Sequence, residues 1–377
     1  MKTPLYVTRP MLPELADLEP MLKKIWSSQI VTNGGPYHNR LEAELRTYLG
    51  VETAMLFNNG TIALLAALKM LGLPAGSEVI TTPLTFAATA HAISWNELVP
   101  VFADVDPVTL TLDPKSVEKA ITKKTSAIVG VHVYGTVCDV EALQAVADEN
   151  SLRLIYDGAH AFGTVIGGKP VAQYGDGTVF SFHATKLFTT LEGGLIATTH
   201  ADLREKIYFL RNFGIKNEEE VVSVGINGKM NEIQAAVGLL NLPMVAEEVK
   251  RRAQLRKAYN SFLSNIPGIR IQPAQNGVTN SEQYYPIVID RKEFGRSRDE
   301  IYDALRSRKI FARKYFHPIC TDFEPYRDFP IISANNRVVA EVRKSQVLCL
   351  PFFGGVTEQE IAEIQEVFLH GLANYAS

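Results

Sequence analysis

Apolar and polar positions along the chain follow two alternating periods. From residue 53, runs of strand length recur: TAMLF (53–57), SEVIT (77–81), VPVFAD (99–104), SAIVGVHV (126–133), RLIYD (153–157), TVFSF (178–182) and GLIATT (194–199). Between them GTIALLAALKMLG (60–72), DPKSVEKAI (113–121) and DVEALQAVADE (139–149) carry helical spacing, the last two opening at an Asp suited to capping. Strands alternating with amphipathic helices predict an α/β fold, a mostly parallel central sheet covered by helices. After Asn241-Leu242-Pro243 the alternation stops. A charged helical stretch (245–264), a few strand candidates such as 284–290 and helices at 297–308 and 357–373 follow, which predicts a smaller α+β domain. The expected division is therefore 1–243, with an N-terminal segment attached to the large domain, and 244–377.

The 377 residues are 46% hydrophobic and 21% charged, ordinary globular usage that excludes disorder. A net charge of −3 and no basic run argue against a nucleic-acid partner. Cys138, Cys320 and Cys349 are too far apart for a CxxC metal or redox site, so no metal is expected. The N-terminus lacks the apolar core of a signal peptide and no apolar run is long enough to span a membrane, so the expected location is the cytoplasm.

Neither GxGxxG nor GxxxxGK[ST] occurs, which removes the dinucleotide and P-loop readings. Asn58-Asn59-Gly60-Thr61 opens a helix after the first strand, a pattern that can cradle a phosphate or merely make a turn and a cap. Asp157 ends a strand and Lys186 lies just beyond the next, with Ser181 and Thr185 close by and Gly193-Gly194 placed to let backbone pass near something bulky. An Asp and a Lys at adjacent strand ends suit pyridoxal phosphate: the amine forms a Schiff base and the carboxylate faces the ring nitrogen. Unit charges ~4 Å apart at an effective dielectric of 20 interact by about 4 kcal/mol, enough to raise a ring-nitrogen pKa by roughly 3. His183, on the opposite strand face from Phe182, receives no role.

The chain resembles the DegT/DnrJ/EryC1/StrS family of nucleotide-sugar aminotransferases over nearly its whole length. The resemblance rests on VTNGGPYHNRLEAEL (31–45), FNNGTIALLAAL (57–68), EVITTPLTFAATAHAI (78–93), PVFADVDPVTLTLDP (100–114), VHVYGTVCDV (131–140), YDGAHAFG (156–163), SFHATKLFTTLEGG (181–194), GINGKMNEIQAAVGL (225–239) and RKYFHPIC (313–320), in that order. It implies a PLP-dependent transferase of fold type I in which Lys186 carries the cofactor and moves the proton. Asp157 then pairs with the ring nitrogen, and Gly60, Thr61 and Ser181 hold the phosphate.

Phe86 would cover the ring face, its alternative being a core position, and Asn227 would reach the phosphate from a second subunit, making a homodimer with shared sites. His160 stands where the family usually has Gln and can still donate one hydrogen bond. Lys229 stands where Arg is usual and loses the planar fork. Lys229 and Arg313 are the candidates for holding the substrate's nucleotide portion. The motif combination is most similar to enzymes that aminate dTDP-4-keto-6-deoxy-D-glucose at position 4 with L-glutamate, in the service of O-antigen and related glycans. Amination of another keto-sugar nucleotide, 3-keto or UDP-linked, and a non-catalytic module that keeps the fold stay open at this level.

Overall fold

Five-residue apolar runs such as Thr53–Phe57 are buried along their whole length, the condition of a strand covered on both faces. In the computed structural model, which describes residues 3–369, eight strands form one sheet. They are β1 (Thr53–Phe57), β2 (Glu78–Thr81), β3 (Val99–Ala103), β4 (Thr125–Val131), β5 (Arg153–Asp157), β6 (Gly177–Ser181), β7 (Gly194–Thr198) and β8 (Ile331–Ile332), in the spatial order β8-β3-β2-β4-β5-β6-β7-β1. All neighbouring pairs are parallel except those made by β7, which runs antiparallel to both β6 and β1. The expected α/β architecture with a mostly parallel sheet is the observed one.

Helices α1 (Gly60–Met70) and α2 (Ala87–Trp95) follow β1 and β2. Asn59 caps α1, its Oδ1 accepting from Ile62 N at 2.9 Å, while Asp113 and Asp139 cap Pro114–Ala120 and Val140–Glu149 as their positions predict. Strand β4 stops two residues short of its expected end. His132 still donates its N–H to the Asp157 carbonyl, and the chain then turns through Val133–Gly135 with Tyr134 at φ 61°.

Beyond residue 244, Ile269–Ile271, Tyr285–Ile289 and Val347–Leu350 form a three-stranded antiparallel sheet. Helices Val245–Leu263, Arg298–Ser307 and Glu358–Leu369 accompany it, sharing a core with Leu255, Tyr259, Ile287, Ile301, Leu348 and Ile364. Residues 370–373 of the last expected helix lie outside the described residues. Two short segments cross between the halves. Leu5–Tyr6 pairs with Ile310–Phe311, and β8 joins the edge of the large sheet. A further apolar cluster, including Leu84, Val131, Tyr134, Tyr284, Phe316 and Ile319, fills the junction. Among the described residues no helix is long and apolar enough to cross a membrane.

Asp104, fully buried just past β3, ties this junction. Its Oδ1 accepts from Val105 N at 2.8 Å and Ala340 N at 2.9 Å, and its Oδ2 accepts from Val339 N at 2.7 Å and Ser333 Oγ at 2.9 Å. Asp104→Asn replaces one acceptor oxygen by a donor NH2 that faces two donors. Equilibrium urea unfolding should show a loss of roughly 3 kcal/mol, and a loss below ~0.5 kcal/mol, the usual size for surface changes, would contradict this role.

Candidate active site

Open parallel sheets bind ligands beyond the carboxyl ends of their strands. At that edge lies a cavity of about 660 Å³, lined by residues from the ends of β1, β2, β5 and β6 and by residues of the C-terminal half. Gly60, Thr61, Phe86, Asp157, His160, Ser181, Lys186 and Arg313 all line it.

The N-terminus of α1 opens onto the cavity beside Ser181, with no acidic residue in its first turn. A Cβ on Gly60 would sit 2.8 Å from Ser181 Cβ, so the close approach of the α1 start to β6 requires glycine here. The pair Gly193-Gly194 serves a related purpose, different from the one its sequence suggests. A Cβ on Gly194 would collide with the Asn59 backbone and one on Gly193 with Thr190 Oγ1, so the bulky neighbour is the protein's own chain. Because β7 runs antiparallel, its first residue reaches the carboxyl edge and pairs there with Phe57 and Ser181.

Asp157, 5% exposed, accepts from Thr89 Oγ1 at 2.8 Å on Oδ2 and from Ala159 N at 3.0 Å on Oδ1. Burial pushes its pKa up, opposed by those two donors and by Lys186. Lys186 shows the mirror effect: burial lowers its pKa to about 8, and the Asp157 charge pushes back. His160 is buried, and its Nδ1 accepts from Tyr134 N at 3.1 Å. Burial and then the Lys186 charge hold its pKa well below the ordinary value, so the ring is neutral. The proton of that neutral ring therefore sits on Nε2, which is a donor.

Phe86 is 61% exposed on the cavity, which excludes the core reading for it. It occupies the N-cap of α2 without capping it, a position where Ser, Thr, Asp and Asn are favoured. Opposite stands an aromatic wall from the C-terminal half. Phe316 stacks on His160 (centroids 5.9 Å apart, planes 7°), and Tyr284 meets the same imidazole edge-on at 5.0 Å. Lys186 Nζ lies 5.8 Å from the Tyr284 ring centroid, and the Arg313 guanidinium lies 5.4 Å from that of Tyr315.

Several residues here escape a reading of the sequence. Gln283, buried, brackets Lys186 by accepting from Leu187 N at 2.7 Å and donating to Thr185 O at 3.1 Å. No motif surrounds it, and nearly a hundred residues separate it from its partners. Thr89 carries a faint signal, its i, i+4 spacing from Thr85. His183 also lines the cavity, with Nε2 3.5 Å from Glu192 Oε1 and Nδ1 2.9 Å from Thr185 Oγ1.

Lys229 does not come to this cavity, and Asn227, expected at the site of a second subunit, lies outside the cavity of its own chain. Lys229 donates to Asn212 Oδ1 at 2.7 Å and lies over the Phe213 ring, so its charge is directed at its own chain rather than at the nucleotide space expected for it. Asn227 is exposed, bridged to Asn212 on a segment that projects apolar side chains outward, Val224 at 83% exposure among them.

With this geometry in view, the chain can be compared with known proteins. Residues 15–368 match the model of the DegT/DnrJ/EryC1/StrS aminotransferase family. A dTDP-4-amino-4,6-dideoxy-D-glucose transaminase of Escherichia coli is 42% identical over 366 residues, covering 96% of this chain and 97% of that protein. The enzyme of the same description from Shigella dysenteriae is 42% identical over 373 residues, 97% of this chain and 100% of its own. Among solved structures, DesI in the presence of its TDP-sugar product superposes with a TM-score of 0.92 at 36% identity, covering 100% of this chain and 97% of that one.

The cavity fits pyridoxal phosphate on its own chemistry. A helix N-terminus with adjacent hydroxyls suits the phosphate, a buried carboxylate suits a protonated ring nitrogen, and an amine of lowered pKa suits the aldehyde.

At pH 7 a lysine of pKa near 8 is neutral in about one molecule in ten, against roughly one in a thousand or fewer for an ordinary lysine. Reductive methylation of the cofactor-free protein, followed by peptide mass spectrometry, should give a Lys186 midpoint near pH 8. Asp157→Asn should move that midpoint down, because the carboxylate raises the Lys186 pKa. A profile indistinguishable from surface lysines would refute the assignment.

Proposed function

The chain belongs to the DegT/DnrJ/EryC1/StrS aminotransferase family and is a PLP-dependent sugar aminotransferase; from that premise we propose that it moves the amino group of L-glutamate to C4 of dTDP-4-keto-6-deoxy-D-glucose. The product is dTDP-4-amino-4,6-dideoxy-D-glucose, a precursor for O-antigen and related glycans, made in the cytoplasm. The observation that carries this reading is 42% identity, across almost the full length, to two transaminases of that description.

When bound, pyridoxal phosphate supplies an electrophilic aldehyde and an electron-withdrawing ring. The residues around it then have separate tasks. Gly60, Thr61 and Ser181 hold the phosphate, and Phe86 covers one ring face. Asp157 would face the ring nitrogen and favour its protonated form, in which the ring withdraws electrons most strongly. Lys186 would hold the cofactor through its amine, and its lowered pKa suits it to take up and return a proton near neutral pH. His160 would present Nε2–H as a donor toward the phenolic oxygen. Arg313, the cavity's arginine, attracts the anionic parts of both substrates.

The working unit in this reading is a homodimer with shared sites. Its support is the exposed apolar set Val221, Val222, Val224 and Ile226 immediately before Asn227, on a segment outside the chain's own cavity. Such side chains need cover, and a second copy supplies it while bringing Asn227 of the partner subunit to the phosphate.

Incubation with L-glutamate and a panel of acceptors tests the reaction. The dTDP 4-keto-6-deoxy sugar should be aminated efficiently, with the product's ring position assigned by NMR, and free keto-sugars or simple 2-oxo acids should be turned over poorly, because binding of the remote nucleotide orients the keto carbon. A simple 2-oxo acid as the best acceptor, with the dTDP sugar inert, would overturn the proposed substrate. The shared site has its own test. Inactive Lys186→Ala and Asn227→Ala subunits, mixed and allowed to exchange, should regain up to about a quarter of wild-type activity, since half the dimers are mixed and each has one site free of both changes. No regain after verified exchange would exclude a composite site.

A further inference from the structure

Asp157 can serve as the ring nitrogen's partner only while it is ionised and correctly turned, and its burial opposes the first condition. Lys186 is the charged group that acts on it, and His160 in the same cavity is neutral. The Lys186 charge is present only while the amine is a free ammonium, whereas the donors Ala159 N–H and Thr89 O–H are permanent. Thr89, 1% exposed on the first turn of α2, has a single proton, and an ionised carboxylate can only accept it. Its other neighbour, Thr85 Oγ1 at 3.0 Å, must therefore be the donor to Thr89. Both threonines are buried, Thr85 at the cavity wall, and the proton order runs one way from Thr85 to Thr89 to Asp157. Phe86 lies between the two threonines, and Thr89 N donates to Phe86 O at 3.2 Å. One short segment thus carries both the side chain exposed to the cavity and the hydroxyl that holds the carboxylate.

We propose that Thr89 is the positioning residue of Asp157, its hydroxyl, oriented by Thr85, holding the carboxylate turned and ionised toward the ring nitrogen. This rests on the PLP reading of the cavity given above. The holoenzyme can be tested with Thr89→Val, which keeps the shape and deletes the hydroxyl, Thr89→Ser, which keeps the hydroxyl, and Asp157→Asn as the reference. The readouts are the pH midpoint of the bound cofactor's visible band and the kcat and KM of the half-reaction with glutamate. A protonated ring repels the proton whose loss changes that band, so weaker ring protonation moves the midpoint upward.

Thr89→Val should raise the midpoint and lower kcat about tenfold, the size of one hydrogen bond to a charged group, with KM within twofold. Thr89→Ser should stay near wild type. If Asp157→Asn moves both readouts and Thr89→Val neither, the Thr89 proposal fails while the pairing stands; if Asp157→Asn also moves neither, the pairing itself fails. A Thr89→Ser variant as impaired as Thr89→Val would reduce the role to packing and overturn the proposal. Should Thr89→Val not accumulate folded, Thr85→Val carries the test, with a smaller shift in the same direction expected and no shift counting against it.

Discussion

A buried carboxylate and a half-buried amine beside one cavity are costly to desolvate, and most of what surrounds Asp157 and Lys186 is explained by that cost. Each is displaced from its ordinary pKa in the direction that burial dictates, and each partly holds the other back. Neither is left to the other alone. Asp157 has two hydrogen-bond donors of its own, and the backbone on both sides of Lys186 is held by Gln283. The outcome is an amine whose pKa is lowered to about 8, so that a fraction is neutral at physiological pH, and a carboxylate oriented by neutral groups, a pairing suited to proton transfer.

The same constraint gives meaning to the junction between the two halves. Desolvation needs a wall over the open sheet edge, and Tyr284, Tyr315 and Phe316 supply it from the C-terminal half. Their placement depends on the shared apolar cluster and on Asp104, which anchors Val339 and Ala340 beyond β8 to the end of β3. Packing at the junction therefore reaches the chemistry through the dielectric around two side chains.

Strand β7 shows how topology serves the phosphate end. Reversing one strand brings Gly193-Gly194 to the edge where the parallel strands finish, packed against Asn59 and Gly60. With no Cβ atoms there, backbone from β7 and the start of α1 approach closely enough for Gly60, Thr61 and Ser181 to line one end of the cavity.

The seven longer strands and three of the helices between residues 53 and 199 were legible because local rules suffice there: apolar runs, helical spacing, Asp caps and glycines at the loops; helix Ala87–Trp95, whose start carries no side-chain cap, was not. That Asp157, Lys186, Gly60, Thr61 and Ser181 would meet was legible for a related reason, since strand ends of a parallel sheet share one edge, while the roles expected of them came from the family resemblance. Tertiary structure alone decided the rest. It put Phe86 in the cavity and not in the core, turned His160 into an Nε2–H donor through the Tyr134 backbone, and directed Lys229 to Asn212. It also recruited Gln283, Thr89 and the 315–316 aromatics, whose partners lie tens to hundreds of residues away. Periodicity encodes which face of an element is buried, but the partner across that face, and with it the pKa, tautomer and hydrogen bond of each site residue, is set by contacts that no local pattern records.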